Sequence, residues 1–462
     1  MTDHLFKEFE IPQPFAWKNL AEKELGAPLS EIKRWIPSEN LVFSPYATYD
    51  GRPAEESDSI RQCQRSDTGW LNTPLLRDYP LEEAVEKIGH LIQNGADAIL
   101  LDPVGTAPAP ADLHQLLSLL QSINTRFFFQ PKNRDNNIIK EIYNFGGLKA
   151  GGIALDPVAE WLQNGSDFRG YLLHISELVQ TKSTAKNFFP LLVQSHVFQE
   201  AGADPVQELA LCLATLVLDL DILTNTGLSP EKALSLIYFS IPCGPQYLTE
   251  IAKLRAFRSL HVRIAQCYDI KVIAEPFIHS TTSAFHHSED EPYTNMIRTT
   301  AQAMSAVTGG CNALTVYPFD QSFKTPNDFS ERIARNVSLI LSHESSLNRV
   351  ADPAAGSYLI EDMTLQLADS AWNLFLEIEE KGGIVPYFLS GDLRRLLDQR
   401  WNEQIEALKK DDVMVGVNKY VQQTENRVKT TMPPVPWPPY LPKRNLARDY
   451  HVSISQAHQE KP

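Results

Sequence analysis

The sequence predicts an α/β fold in which parallel strands and crossover helices close into an eight-stranded (β/α)8 TIM barrel, and three observations predict it. Short apolar runs ending on a polar or proline residue recur along the chain: AILLD (98–102), RFFFQP (126–131), GGIALDP (151–157), FFPLLVQSH (188–196), KVIAEPFIH (271–279) and CNALTVYPFD (311–320). Strands this uniformly apolar are covered on both faces. Amphipathic helical stretches lie between them, such as Val206 to Leu220 with Leu209, Ala210, Leu213, Ala214, Val217 and Leu220, and strands alternating with helices make parallel sheets. Polar residues then collect at the C-terminal ends of the runs, namely Gln194, Ser195, His196, His279, Ser280, Thr281 and Tyr317. In a barrel that is the functional face.

The first periodic segment places Leu81, Ala84, Val85, Ile88, Leu91 and Ile92 on one helical face, with Gly95 able to stop the helix before AILLD begins. The barrel is therefore expected over 81–385. Residues 1–80 carry several prolines and the aromatic residues Phe15, Trp17, Trp35, Tyr46 and Tyr49, and read as an N-terminal extended arm wrapping the barrel or a partner. Residues 386–462 read as a C-terminal helical segment followed by a Pro/Trp-rich tail. Its PPVPWPP stretch (433–439) is extended, because proline has no N–H for a helix. Trp437 and Tyr440 predict that the tail docks.

Of the 462 residues 43% are hydrophobic and 21% charged, the balance of a soluble enzyme with one large core. A net charge of -15 leaves no basic face for a phosphate backbone, which argues against nucleic-acid or anionic-membrane partners. Cys63, Cys212, Cys243, Cys267 and Cys311 are odd in number and widely spaced. They suit a reducing cytoplasm better than a disulfide framework or a zinc site. The N-terminus lacks an apolar core behind a basic cap, and no run of about 18 apolar residues occurs, so neither secretion nor membrane insertion is expected.

The generic catalytic signatures are absent: GxGxxG, P-loop, HExxH and GxSxG. Gly309 and Gly310 read as a helix stop. His286 and His287, in HHSEDE, read as a surface loop and not a metal site, because the acidic neighbours have no recognised ligand spacing. His196 and His279 fall at strand ends, where an imidazole either donates to a ligand carbonyl or satisfies nearby backbone. Lys253, Arg255 and Arg258, in EIAKLRAFR, either approach an anionic group or lie on a solvated face, and the solvated face is the simpler reading.

From Gln199 to Tyr420 the chain resembles the barrel of methylmalonyl-CoA mutases. The segments that carry the resemblance, in order, are QEAGADPVQELA (199–210), TEIAKLRAFR (249–258), EPYTNMIRTTAQAM (291–304), GGCNAL (309–314), FSERIARN (329–336), VADPAAGSYLIEDMT (350–364), EIEEKGG (377–383) and VGVNKY (415–420). Weaker similarity reaches back to FSPYATYD (43–50). The resemblance implies a barrel, and a chemistry in which adenosylcobalamin starts a radical rearrangement in a site shielded from side reactions. Such a site needs a corrin-binding domain, a CoA channel and a polar acyl pocket.

Each requirement is altered here. The family's Asp-x-His-x-x-Gly corrin motif, on a flavodoxin-like domain, has only a near match at Asp112 and His114, where Leu117 replaces the glycine. No cobalamin-binding flavodoxin-like domain is expected. Aligning Gln199, Glu200, Ala201 and Gly202 puts Val197 at the family's catalytic histidine and His196 at its tyrosine, and valine cannot donate a hydrogen bond. Where catalytic chains read His-x-Gln-Thr-Ser-Gly-Trp, this chain keeps His279 but has Thr281 in place of the glutamine. The family's Ala-Pro-Arg-Leu-Ser falls near Leu236 and Tyr238, so groups suited to CoA phosphates are replaced. The Arg-Pro-Trp-Thr-Ile-Arg-Gln-Tyr segment that covers the corrin has no counterpart between Asp50 and Leu81.

Together these losses are similar to the small, non-catalytic subunit of the heterodimeric bacterial enzyme. The resemblance then implies no catalytic residue, a vestigial pocket around His196, Gln199, His279 and Thr281, no cofactor or metal on this chain, adenosylcobalamin in a large-subunit partner, and a cytoplasmic location. A second reading is a catalytic chain similar to isobutyryl-CoA mutase, whose cobalamin domain is a separate polypeptide. A third is a free-standing structural or chaperone-like protein.

Overall fold

The computed structural model describes residues 16–28, 41, 43, 54–77, 79–102, 110–131, 136–145, 148, 150–181, 187–410, 412–421 and 440–459. The chain divides into two units, 1–47 and 48–462. In the first, Ala16–Leu25 is helical, and Leu41 and Phe43 are buried. Phe15, Trp35, Tyr46, Tyr49 and the PPVPWPP stretch lie outside the described residues.

The second unit is built on strands β1 (Leu71–Asn72), β2 (Leu75–Leu76), β3 (Ala98–Leu101), β4 (Arg126–Phe129), β5 (Ala150–Ile153), β6 (Asn187–Phe189), β7 (Leu191–Gln194), β8 (Ile237–Cys243), β9 (Ile278–Thr282) and β10 (Ala313–Thr315). They form two sheets, β2-β3-β4-β5-β6 and β1-β10-β9-β8-β7, and every pair is parallel. The sheets share their edges. β1 and β2 are one stretch broken at Thr73 and Pro74, and β6 and β7 are one stretch broken at Pro190.

A proline has no N–H to give, so the ladder changes partner there. Thr73 N donates to Leu314 O at 2.9 Å, while Pro74 O accepts from Leu100 N at 3.0 Å. Both sheet junctions are bridged this way, and the eight stretches close in chain order into a parallel barrel. It starts at Leu71, ahead of the expected boundary at 81. KVIAEPFIH becomes strand only from Ile278.

The helices follow their local chemistry. Leu81–Gln93 has Glu82 and Glu83 in its first turn, buries Ala84, Ile88 and Leu91, and ends before Gly95 at φ +88°. Pro205–Asn225 opens with a reciprocal cap between Asp204 and Gln207 and has Pro205 in its first turn. It and Tyr247–Cys267 are covered a second time, by Tyr358–Glu380.

That outer layer overturns the solvated-face reading of EIAKLRAFR: Lys253, Arg255 and Arg258 are all buried. Arg255 pairs with Asp352, and Arg258 donates to Gly310 O at 2.6 Å and Asn312 Oδ1 at 2.9 Å. A buried cation must be paired this way. Gly309 does end the helix Thr294–Thr308. No helix among the described residues is long and apolar enough to cross a membrane.

Candidate functional site

A cavity of about 490 Å³ lies at the C-terminal ends of the barrel strands, where a parallel barrel places its site. His196, Val197, His279 and Thr281 line it together with Gln194 and Tyr317. Gln199 does not line it. It is buried at the end of the short helix His196–Glu200, with Nε2 3.5 Å from Glu208 Oε1. Ser195 is likewise turned away, its Oγ 3.3 Å from Glu208 Oε2.

Asp156 ties the strand ends together. It caps the helix Pro157–Asn164 by accepting from Ala159 N at 2.9 Å, and its other oxygen accepts from Gln194 N at 2.8 Å. Beneath Ser195, Lys253 Nζ stands 3.0 Å from Glu208 Oε2 and 2.6 Å from Glu250 Oε2, and donates to Pro242 O at 2.8 Å. One cation thus faces two carboxylates, all three side chains buried. Burial, with Glu250 adding to it and Lys253 opposing it, pushes the Glu208 carboxyl up to about 7.

The histidines of the cavity are neutral. Burial, then His279 and Lys443, push His196 down to about 3, and burial alone pushes His279 to about 4. His196 Nε2 meets Ser240 Oγ at 2.8 Å, and His279 Nε2 meets Thr315 Oγ1 at 2.8 Å. His287 also lines the cavity and is 1% exposed. The surface-loop reading of HHSEDE is therefore wrong at this residue: the turn after β9 folds inward under Asn445, whose Nδ2 donates to His287 O at 3.0 Å.

The floor is aromatic. Tyr238 on β8, Phe128 on β4, Phe189 on β6 and Phe277 just before β9 pack across the barrel axis, with ring centroids 5.4 to 6.3 Å apart. His279 joins them at 5.4 Å from Phe128. The barrel is filled along its axis by these rings. Lys443, Arg444, Asn445 and Arg448 from the C-terminal segment line one side of its mouth. The sequence reading did not anticipate Ser240 or His287 in the site; it expected the tail to dock, from Trp437 and Tyr440, but not beside this cavity, and it noticed Tyr238 only as a replacement.

A second cavity, of about 710 Å³, lies along Leu81–Gln93 and Asp328–His343. There Lys87 is already paired with Asp328 and Glu331, at 2.8 and 2.9 Å. Among the described residues no group of three or more His, Cys, Asp or Glu could hold a metal ion.

A closed (β/α)8 barrel with a polar cavity at its C-terminal strand ends defines a class of ligand-binding and catalytic proteins, and sequence relationships narrow it. The family model described as methylmalonyl-CoA mutase matches residues 150–435, and the chain belongs to that family. It is 32% identical over 453 residues to the methylmalonyl-CoA mutase small subunit of Porphyromonas gingivalis, an alignment covering 92% of this chain and 72% of the relative. It is 37% identical to the small subunit of Streptomyces virginiae, over 58% of this chain and 44% of that protein. It is 36% identical to the methylmalonyl-CoA mutase of Rhizobium meliloti, over 55% of this chain and 36% of that protein. The chain thus spans less than half the length of the last two.

Proposed function

We propose that this chain is the small subunit of a heterodimeric, adenosylcobalamin-dependent methylmalonyl-CoA mutase, which interconverts methylmalonyl-CoA and succinyl-CoA in the cytoplasm. The large subunit carries the cofactor and the chemistry. This chain stabilises and positions it and binds neither cofactor nor substrate. Val197 then stands where a catalytic chain has its histidine, and His196, Gln199, His279 and Thr281 are remnants of a pocket.

The observation that carries this reading is the filled barrel axis. An acyl-CoA reaching the cavity through the barrel would have to pass Phe128, Phe189, Tyr238 and Phe277, whose rings touch one another. Interiors packed this closely do not admit a chain without unpacking. The described residues do not fit adenosylcobalamin either. A corrin presented to the cavity from outside meets the chain's own Lys443–Arg448 segment, and His114 is exposed within the helix Pro110–Ser122. Two of the relatives above bear the name small subunit, which supports a large-subunit partner. The residues ahead of the barrel and the tail beyond 386 are the proposed contact regions, and obligate interfaces of this kind bury upward of about 2,000 Å².

One observation favours the second reading, a catalytic chain with a detached cobalamin domain: His279 is present and lines the cavity. Isothermal titration with adenosylcobalamin and methylmalonyl-CoA, with and without a mutase large subunit, separates the two. Tight association with the large subunit and no ligand uptake alone is the expected result. Uptake of both ligands by the isolated chain would overturn it.

A further inference from the structure

We propose that residues 440–459 are a cap that lifts from the barrel mouth as a unit, leaving the barrel folded, and that access to the buried His279 and His287 of the cavity depends on this opening. The cap is pinned at three backbone points: Leu441 N donates to Leu162 O at 2.8 Å, Arg444 N to Glu200 O at 2.8 Å, and Leu446 N to Phe285 O at 3.0 Å. Side chains reinforce them. The Arg444 guanidinium pairs with Asp398, donates to Ala201 O at 3.1 Å and lies 5.0 Å over the Trp401 ring. Asn445 Nδ2 donates to Ala284 O and His287 O at 3.2 and 3.0 Å.

Each of these partners sits in a helix or a loop, and none is in a barrel strand. The cap's apolar anchor, Leu446 and Ala447, packs with Ile405, Leu408, Met414 and Val417, a cluster separate from the barrel interior around Leu100, Phe128, Leu192 and Tyr238. Lifting the cap therefore breaks no strand ladder and opens no part of the barrel core, so it costs less than global unfolding. Segments held this way open as independent units. What the cap exposes is specific: Lys443, Arg444, Asn445 and Arg448 form one wall of the cavity that His196, His279 and His287 line from the other side.

The test uses the full-length protein and reads accessibility, so it stands whether or not the chain turns over substrate. Native-state hydrogen exchange is expected to show the Leu446 amide exchanging on the order of tenfold or more faster than the Phe239 amide, which is bonded to Phe277 O inside the barrel. Diethyl pyrocarbonate, which acylates neutral imidazole, should modify His279 and His287, which are 2% and 1% exposed, far more slowly than exposed His114, with a rate set by opening. In Arg444→Ala, Leu446 exchange and acylation of the two buried histidines should rise by the same factor, with Phe239 exchange unchanged. Equal exchange at Leu446 and Phe239 in the wild type would show that the cap has no opening of its own. Faster Leu446 exchange without faster acylation would show that the cap gates nothing. Should Arg444→Ala not fold, Asn445→Ala reports the same correlation, and the wild-type comparison is decisive without either variant.

Discussion

The ring of Tyr238 lies against Gly152 across the barrel, in space left by the missing side chain. A Cβ built on Gly152 would stand 3.3 Å from Tyr238 Cε1 and 2.6 Å from Phe189 O. The glycine on β5 and the tyrosine on β8 are thus one device for filling the axis. Gly152→Ala forces β5 and β6 apart and is expected to lower stability by about 1–3 kcal/mol, the usual cost of overpacking. Tyr238→Phe keeps the ring and removes a buried hydroxyl that has no hydrogen-bond partner among the described residues, so its loss should stay under about 1 kcal/mol. Urea midpoints of the two variants check the pair. A Gly152→Ala protein as stable as the wild type would mean that the strands are not closely packed there.

His279 has a defined tautomer. Thr315 Oγ1 gives its only proton to Thr73 O, at 2.5 Å, and must therefore accept from His279 Nε2. The imidazole carries its proton on Nε2 and leaves Nδ1 bare, the reverse of what donation to a ligand through Nδ1 requires. Long-range nitrogen–proton correlation spectra should show the Nε2–H form. With the pKa held near 4 by burial, the ring should stay neutral down to about pH 5. Because the folded value is below the unfolded one, stability from this residue is present above about pH 6.5 and is lost as pH falls toward 4. The stability difference between wild type and His279→Gln, measured across that range, carries this sign.

Much of this architecture was legible in the sequence, because a strand covered on both faces leaves a continuous apolar run. AILLD, RFFFQP and CNALTVYPFD all became barrel strands. The two stretches that were not singled out contain proline where strands usually exclude it: LNTPLL, split at Pro74, and IYFSIPC, with Pro242 inside β8. In the site, His196 and Val197 could be placed because they follow the end of β7; His279 was expected at a strand end but stands near the start of β9, with Thr281 also inside that strand, because KVIAEP stays out of the sheet. Gln199 could not be placed, since its direction depends on the turn of a five-residue helix. Lys253 was hidden for another reason: a charged side chain on a helix reads as solvated unless the second helical layer is known.

The Lys253 cluster gives a large and signed prediction. Lys253→Met strands Glu208 and Glu250 in the interior and should cost about 3–5 kcal/mol, the penalty for breaking a buried ion pair from one side. Adding Glu208→Gln and Glu250→Gln should restore part of that loss, because the uncompensated charges disappear. Glu208 titrates in the fold at about 7, above its unfolded value near 4.3. Its stabilising contribution is therefore complete at low pH and declines as pH rises toward 7. Wild type should lose stability relative to Glu208→Gln over that interval, and denaturation at pH 5 and pH 7.5 checks it.

Asp156 holds two backbone donors at once, Ala159 N and Gln194 N. Asp156→Ala leaves both without a partner in a buried place, where each orphaned group costs about 1–3 kcal/mol. The expected loss exceeds the roughly 1 kcal/mol typical of a lost N-cap. Asp204→Ala provides the comparison, since Asp204 accepts from one backbone donor, Gln207 N. A loss at Asp156 no larger than at Asp204 would mean that the bond to Gln194 contributes nothing.

Val197→His places an imidazole where the proposed reading says catalytic chains have one, and it is expected to give no turnover even with adenosylcobalamin and methylmalonyl-CoA supplied. Val197 is 2% exposed, so the larger polar ring has to be accommodated in a packed wall. On the proposed reading the obstacle to catalysis lies elsewhere in any case: the aromatic rings still pack across the axis and the 440–459 segment still lines the mouth. Combining Val197→His with Tyr238→Ser removes one ring and leaves Phe128, Phe189 and Phe277 in place, so the double variant should also be inactive and less stable. Detectable succinyl-CoA from either variant, assayed without a large subunit, would return the chain to the catalytic class.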